Sequence, residues 1–358
     1  MTSQRRKATE GKASAKTSLK ELALHLGLSQ TTVSRVINNS AQEYRISAKT
    51  QERVHAAAAK LNYRANTLAR GLRSKQSKTV GVIVPEISEG YSTAVLSGIE
   101  DVLLLSGFFY FVVSHRHRPE LLREYPSLLL SRAVEGIIAV DSALSEELPV
   151  PVVAVSGNSH HRSVVNIELD HLLAARYALE HLEHLGHKDI AFIKGQNFSS
   201  DTRARWQAIC QVAKDLGITI NQRLVVQLKG PGLGSDPGRS ATVRLLERNL
   251  PFTAIFAFND LAAIGAITVL RETGIDVPSQ VSVVGFDDIL SAATNNPALT
   301  TVQQPMKEMG RIAASTLLEM VRSEKADWPK QTIHVLPSFV ERQSTSIARI
   351  STKEHRNR

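Results

Sequence analysis

The chain has 358 residues, 42% apolar and 22% charged, with one cysteine, Cys210. That is the length of two or three domains of about 150 residues each, too apolar for a disordered chain and too poor in cysteine for a disulfide framework or a four-cysteine zinc site. The net charge of +9 is unevenly placed: residues 1–78 carry 16 Lys and Arg against 4 Asp and Glu, leaving the remainder at −3. No run approaches the roughly 18 apolar residues of a membrane span. The opening MTSQRRKATEGKASAKTS lacks the apolar stretch of a secretory leader, so the expected location is the cytoplasm, with no membrane partner. A small basic head on a near-neutral body points to a polyanion-binding segment on a body with another task, or to a solubilising tail.

Residues 1–16 read as a basic arm. From Ser18, the stripe Leu19, Leu22, Ala23 and Leu26 at i, i+3, i+4 and i+7 predicts a helix to about Gly27, opened by Ser18 and Glu21 in capping-box spacing. Gly27, Leu28 and Ser29 form a short turn, with Ser29 as N-cap of a second helix. At about 100° per residue, Gln30, Thr31, Ser34 and Arg35 share one face of that helix, at about 0°, 100°, 40° and 140°. Val33, Val36 and Ile37 occupy the opposite face. Such a helix offers hydrogen-bonding groups to base edges or phosphates while its valines pack inward, or it is a small surface helix with polar residues outward. Ser47 caps a third helix with Val54, Ala57, Ala58 and Leu61 inward, completing a helix-turn-helix head over residues 17–63.

TSLKELALHLGLSQTTVSRVINNS, followed by RISAKTQERVHAAAAKLNYRANTLARGLRSKQSKTVGVIVP, resembles the start of a lactose-repressor (LacI/GalR) family regulator. The resemblance implies that Gln30, Thr31 and Arg35 occupy base-reading positions and that Thr32, Ser34 and Asn38 touch phosphates. The loop NNSAQEYRIS is about three residues longer than the family's usual form, which leaves the register of Tyr44 and Arg45 open. Residues 64–78 form a linker too polar and basic to own a core. Asn66 can cap a short helix there, with Leu68, Ala69 and Leu72 on one side. By resemblance this is the family's hinge helix, with Leu72 the wedge inserted into the DNA minor groove and Arg70 its polar neighbour. Read without the family, the same residues are a flexible basic tether.

Beyond Thr79, the apolar runs VGVIVP, FFYFVV, EGIIAV, VPVVAVS, IAFIKG, TAIFAFND and VSVVGFDD alternate with helix-length segments, the pattern of parallel sheets covered on both faces. Enough strands are present for two Rossmann-like lobes with ligand groups at the strand carboxyl ends. This α/β body resembles the family's periplasmic-binding-protein-like core, and the likeness spans about residues 17–343. It implies an N-lobe of about 79–166 and 304–328, a C-lobe of about 167–303 and 329–343, and a loose tail at 344–358. Polar strand ends carry Phe258-Asn259-Asp260 and Phe286-Asp287-Asp288, and the loop SSDTRARW carries Arg203, Arg205 and Trp206, groups able to hold a small polar ligand. In the family pattern Tyr91, Arg205, Asn259 and Asp287 are ligand-binding positions. Asp260 and Asp288 read as caps of the segments that follow, and Asp170 as either a ligand contact or a helix cap. The chain departs from the pattern at Ser92, where relatives often have a second aromatic, and at Val140 and Ser156, where some sugar-binding members have polar or acidic groups.

An enzyme needs a catalytic constellation, and the sequence contains neither a G-x-S-x-G elbow nor a phosphate loop ending in Gly-Lys-Ser/Thr. KGPGLGSDPG lacks the third glycine of a dinucleotide fingerprint and reads as a surface turn. His181, His184 and His187 have a spacing that could aim imidazoles at a metal, but Gly186 breaks the helix, where histidines meet the dipole favourably. His115 and His117 are either cleft-lining or exposed. The expected protein is therefore a homodimeric regulator without cofactor or metal. It binds near-palindromic operator DNA and a small-molecule effector, a sugar or sugar derivative, and repression is relieved by an inducer, with corepression as the alternative. A transport solute-binding protein and a sugar-modifying enzyme with a DNA-binding head are the competing classes.

Overall fold

The computed structural model describes residues 17–38, 41–42, 44–63, 76–88, 90–156, 164–230, 234–323 and 331–349. The chain divides into a head, up to Ser77, and a body from Lys78.

In the head, α1 (Leu19–Leu26), α2 (Gln30–Ile37) and α3 (Ala48–Lys60) each start at an expected serine. Ser18 and Glu21 satisfy each other's backbone N–H, Ser29 Oγ accepts from Thr32 N, and Ser47 Oγ from Thr50 N. The Ser18 backbone N–H and then its side chain hold the Glu21 carboxyl below the usual range. Gly27 ends α1 at φ 65°, the left-handed conformation that glycine adopts without a Cβ penalty. Leu22, Val33, Val36 and Val54 close the core, and Thr17 Oγ1 donates to Leu61 O to join the two ends of the head.

The body holds two six-stranded sheets. The first contains β1 (Thr79–Val84), β2 (Phe109–Ser114), β3 (Gly136–Val140), β4 (Val152–Val155), β5 (Val164–Leu169) and β11 (Gln331–Val335). Its order is β11-β5-β4-β3-β1-β2, parallel throughout. The second contains β6 (Ile190–Lys194), β7 (Val225–Gln227), β8 (Ala254–Ala257), β9 (Ser282–Asp287), β10 (Thr300–Gln303) and β12 (Ser338–Val340). Its order is β12-β10-β9-β8-β6-β7, with only the edge strand β12 antiparallel. Strands β1, β3, β4, β8 and β9 are buried along their whole length, as expected of continuous apolar runs covered on both faces. Helices α4 (Tyr91–Leu105), α5 (Pro119–Ser131) and α11 (Met306–Arg322) belong to the first lobe. Helices α6 (His171–His184), α7 (Asp201–Asp215), α8 (Asp236–Leu246), α9 (Asp260–Glu272) and the short α10 (Leu290–Thr294) belong to the second.

Two sequence expectations need correction. Strand β5 runs on to Leu169 and pairs with β11, Gln331 opposite Val165, so residues 167–169 and 331–335 belong to the first lobe. The chain therefore crosses between lobes at 170, 304–305 and 336–337. The tail expected to be loose from 344 is docked on the second lobe as far as the described residues reach. The buried Ser344 accepts from Thr300 N and donates to Val283 O, and Ala348 N donates to Leu185 O. His187 bridges Thr253 Oγ1 and Ser346 O, and His181 meets Thr345 Oγ1, so these histidines brace that segment.

The tightest contact in the first lobe is α4 against α11, where two glycines let the backbones touch. A Cβ on Gly98 would stand 1.8 Å from Lys307 O, and one on Gly310 2.0 Å from Val95 O. Gly98→Ala must push the helices apart, an overpacking cost of about 1–3 kcal/mol. Calorimetry should show the body unfolding several degrees lower, and an unchanged midpoint would show that the two helices yield without cost.

Candidate functional site

On α2, Gln30 and Thr31 are exposed and Ser34 and Arg35 half-buried, while Val33 and Val36 are buried on the opposite face. Thr32 Oγ1 lies 2.9 Å from Ser29 Oγ, within the helix cap. Asn38 ends the helix, its Nδ2 donating to Ser34 Oγ at 3.2 Å. The register left open by the longer loop places Tyr44 beneath Arg35, with the guanidinium carbon 3.5 Å from the ring centroid. Arg70 and Leu72 lie outside the described residues.

In the body, the carboxyl ends of both sheets converge on one cleft, the location expected where strand order reverses in an open parallel sheet. The cleft encloses about 110 Å³ and its lining includes Glu86, Tyr91, Asp141, Asp201, Arg205, Asn259, Asp287 and Gln304. Five residues here are held at positive φ without being glycine: His117 at 56°, Asp141 at 41°, Ser156 at 54°, Asp287 at 114° and Asp288 at 58°. Such conformations persist where the surroundings over-determine them.

Arg205 organises the second-lobe wall. It is 3% exposed, and its guanidinium lies over the Phe286 ring at 3.6 Å and the Phe258 ring at 4.4 Å. Nη1 donates to Phe258 O at 2.5 Å and Nη2 to Asp201 Oδ2 at 3.3 Å, leaving Nε without a partner among the described residues. Gln304 Nε2 donates to Asp287 Oδ1 at 2.6 Å, and Gln304 Oε1 is likewise unpartnered. Both side chains line the cleft, with these two atoms buried.

The lobes meet across this cleft. Asp141, at the end of β3, accepts from Ser200 N at 3.0 Å, from Ser200 Oγ at 2.5 Å and from Ser199 Oγ at 3.4 Å, all second-lobe groups. Ser200 Oγ also reaches the Ser156 carbonyl, and Tyr91 OH pairs with Ser156 Oγ at 2.7 Å. The rings of His117 and Phe198 meet across the mouth, their centroids 4.1 Å apart. Burial and then the Asp201 charge push the Asp141 carboxyl up to about 7. Burial alone would raise Asp201 too, but His171, 3.6 Å away, together with Arg205 and Ser156 outweighs it and holds Asp201 low. Burial raises Asp287 against the opposing pull of Arg205, and raises Tyr91 well above its ordinary value. His115, lying deeper and hydrogen-bonded to Ser142 Oγ, is pushed down to about 4 by burial and then by His117, so it stays neutral.

Tyr91, Arg205, Asn259 and Asp287 are therefore brought together, and several neighbouring readings change. SSDTRARW is the first turns of α7, with Arg203 exposed, and Trp206 turns from the cleft to pack on Phe192 under Lys194. Asn259 caps α9 by accepting from Ala262 N. Asp260 is not a cap: it is fully buried and accepts from Thr301 Oγ1 and Ile289 N, with burial and the Asp287 charge raising its carboxyl. Asp288 instead pairs with Arg342 at 2.7 Å. Asp170 caps α6 through Leu173 N. Sequence reasoning missed Asp141, Ser199, Ser200, Asp201 and Gln304. The available signal was Asp141 directly after the apolar run GIIAV, the same pattern that identified Asp287 after VSVVGF.

Residues 18–66 match the family model for bacterial regulatory proteins of the lacI family, and residues 179–345 match the periplasmic binding protein-like domain. A helix-turn-helix head followed by such a body defines a transcriptional regulator. The HTH-type transcriptional regulator DegA of Bacillus subtilis is 33% identical over 343 residues, covering 92% of this chain and 98% of DegA. The repressor PurR of Haemophilus influenzae is 31% identical, covering 91% and 98%. The chain belongs to the lacI family of bacterial transcriptional regulators and is not an enzyme. The lac repressor dimer bound to operator and the anti-inducer ONPF superposes with a TM-score of 0.78 at 26% identity, covering 92% and 99%. The regulator CelR in complex with cellobiose superposes with a TM-score of 0.68 at 27% identity, covering 92% and 100%. Among the described residues no helix is long and apolar enough to cross a membrane.

The raised Asp141 carboxyl makes interlobe stability depend on pH. Because its folded pKa of about 7 lies above its ordinary 3.8, the protonated form suits the fold better. Its contribution is full below about 3.8 and is lost as pH rises towards and through 7. Asp141→Asn is neutral at every pH, so its melting temperature relative to the parent should rise between pH 5 and pH 8. A difference constant across that range would place the titration elsewhere.

Proposed function

We propose that this regulator is a repressor that binds a near-palindromic operator as a homodimer and whose affinity is set by a small neutral polyhydroxylated metabolite, a sugar or sugar derivative, held between the lobes. In this reading Gln30, Thr31 and Arg35 read base edges and Thr32, Ser34 and Asn38 meet phosphates. Arg70 and Leu72 act in the minor groove.

The observation carrying the effector class is a cleft rimmed by carboxylates and lined by Tyr91, Asn259 and Gln304. A hydroxyl both donates and accepts, so it can pair with carboxylate, amide and phenol groups alike. Glu86 and the ionised Asp201 line the cavity against one guanidinium whose Nη1 and Nη2 are already engaged, so a phosphate or carboxylate ligand would meet like charge. Tyr91 OH, Asn259 and Asp287 complete the polar wall.

Control follows from differential affinity: an effector that favours one lobe arrangement shifts the population of operator-competent dimers, and operator must reciprocally shift effector affinity. Relief of repression by the effector is the expected sign.

A thermal-shift screen against neutral sugars, sugar acids, sugar phosphates and nucleosides tests the ligand, since a molecule that binds only the folded state raises the melting temperature. Stabilisation by a neutral sugar is expected, and stabilisation only by phosphates or acids would overturn the neutral assignment. Asp287→Ala should abolish that shift with operator binding retained. Arg35→Ala should weaken specific DNA binding about ten-fold or more while keeping the shift. Parallel loss of both activities in either folded variant would refute the division of labour.

A further inference from the structure

The cleft is closed at its outer edge by two rings from opposite lobes. His117 follows β2 in the first lobe and Phe198 follows β6 in the second. Both line the cleft and Phe198 is 44% exposed, so the pair stands between the cavity and solvent. The ring centroids are 4.1 Å apart with the planes inclined at 36°, a stacked contact with no room for a third ring. Each ring is carried on a turn with its own fixings. Arg116 and His117 are held at φ 49° and 56°, with Arg116 N donating to Pro85 O at 2.7 Å and His117 N to His115 Nδ1 at 3.2 Å. In the Phe198 turn, Thr202 Oγ1 donates to Gln196 O at 2.7 Å, and Gln227 Nε2 to Gly195 O at 2.8 Å and Asn197 Oδ1 at 2.5 Å. Ser199 and Ser200, directly after Phe198, bond Asp141 across the cleft, so one turn carries both the polar and the apolar contact between the lobes.

A ring pair across the mouth restricts what the cavity can hold. A ligand confined to the cavity leaves the pair intact, whereas one that continues past the outer edge must part the rings and strain the Asp141 bonds on the same turn. Parting one aromatic pair alone is worth about two- to ten-fold in affinity. The polar wall makes no such distinction, because its carboxylates and amides accept hydroxyls from a short or a long sugar alike. We infer that Phe198 is a size-determining residue of the effector site: stacked on His117, it admits a neutral sugar of one ring and discriminates against the same sugar extended by a second ring. The selection is made by an interaction that the wrong ligand must break, not by a contact that the right one gains. This rests on the reading of the effector as a neutral sugar.

The test uses the full-length protein and two sets of probes: the single-ring sugars glucose, galactose, mannose, ribose and xylose, and the two-ring sugars maltose, cellobiose, lactose and xylobiose. Dissociation constants are measured by calorimetric titration for the parent, Phe198→Ala, Phe198→Tyr, His117→Ala and the double variant Phe198→Ala/His117→Ala, each checked for folding by circular dichroism. The readout is the ratio of the constants for a two-ring sugar and for the single ring that it contains. In the parent the two-ring sugar should bind about ten-fold or more weakly, since the ring pair and its neighbouring bonds are broken together. Phe198→Ala and His117→Ala should each bring the ratio within about three-fold, and Phe198→Tyr, which keeps the ring face, should retain the parent's ratio. A purely structural role for Phe198 would weaken both sizes alike and leave the ratio where it was. The ligand-free proteins supply a second measurement: for rings that meet in solution, the melting-temperature losses of Phe198→Ala and His117→Ala do not add in the double variant. A parent that binds a two-ring sugar as tightly as its single ring, a ratio unchanged in Phe198→Ala, or additive losses would overturn the inference. Binding of no neutral sugar of either size is the separate failure of the effector reading, and the size limit falls with it.

Discussion

The body is organised around a charge removed from water. A buried guanidinium is tolerated only when its donors and its charge are matched, and Arg205 is matched by the Asp201 carboxylate, the Phe258 carbonyl and the faces of two phenylalanine rings. Those partners determine much of the rest. Asp201 stays ionised because His171 and Arg205 outweigh its burial, and its charge in turn raises Asp141 next to it. Asp141 then faces the Ser199 and Ser200 donors of the other lobe, so the charge balance around one arginine reaches the contact that joins the lobes. These protonation states and hydrogen bonds form one connected set, so a change at any of them reaches the others.

The head works by a different principle. Its apolar half is fixed by Leu22, Val33, Val36 and Val54, and its polar half consists of side chains held by short local bonds: Thr32 with Ser29, Ser34 with Asn38, Arg35 with Tyr44. These are exposed or half-exposed groups whose partners restrict their rotamers without removing them from solvent. In the cleft an unmet polar atom is expensive, whereas on α2 the side chains have already lost part of their freedom to local contacts.

Much of this could be read from the sequence, for identifiable reasons. Ser18, Ser29 and Ser47 announced three helices because a cap is a local interaction. Six of the seven apolar runs became central strands buried on both faces, and the seventh, FFYFVV, became the half-exposed edge strand β2. The edge strands β7, β11 and β12 escaped because they are short and partly exposed, and QTIHV has no apolar pattern to distinguish it from a loop. The lobe boundaries were misplaced because they depend on pairing between Val165 and Gln331, which no local pattern encodes. In the cleft, aligning on the family put attention on Val140, whose side chain is buried in the sheet, one position before Asp141. Asn259 and Asp260 exchanged expected duties, since the cap falls to the extended residue before the helix and the buried carboxylate ties that helix to the next two strand ends.

The three crossings between lobes bear on how the chain is made. The first lobe starts at Thr79 but lacks α11 and its edge strand β11 until residue 335 has been synthesised, and the second lobe waits for β12 and for Ser344. Neither lobe is a contiguous segment, so the body has no stable half at which a growing chain can rest, and its apolar strands stay incompletely covered until residues 331–344 have been synthesised. The head is contiguous, with its own core between Thr17 and Tyr63. On the ribosome, the part of the molecule that meets DNA is complete long before the part that governs it.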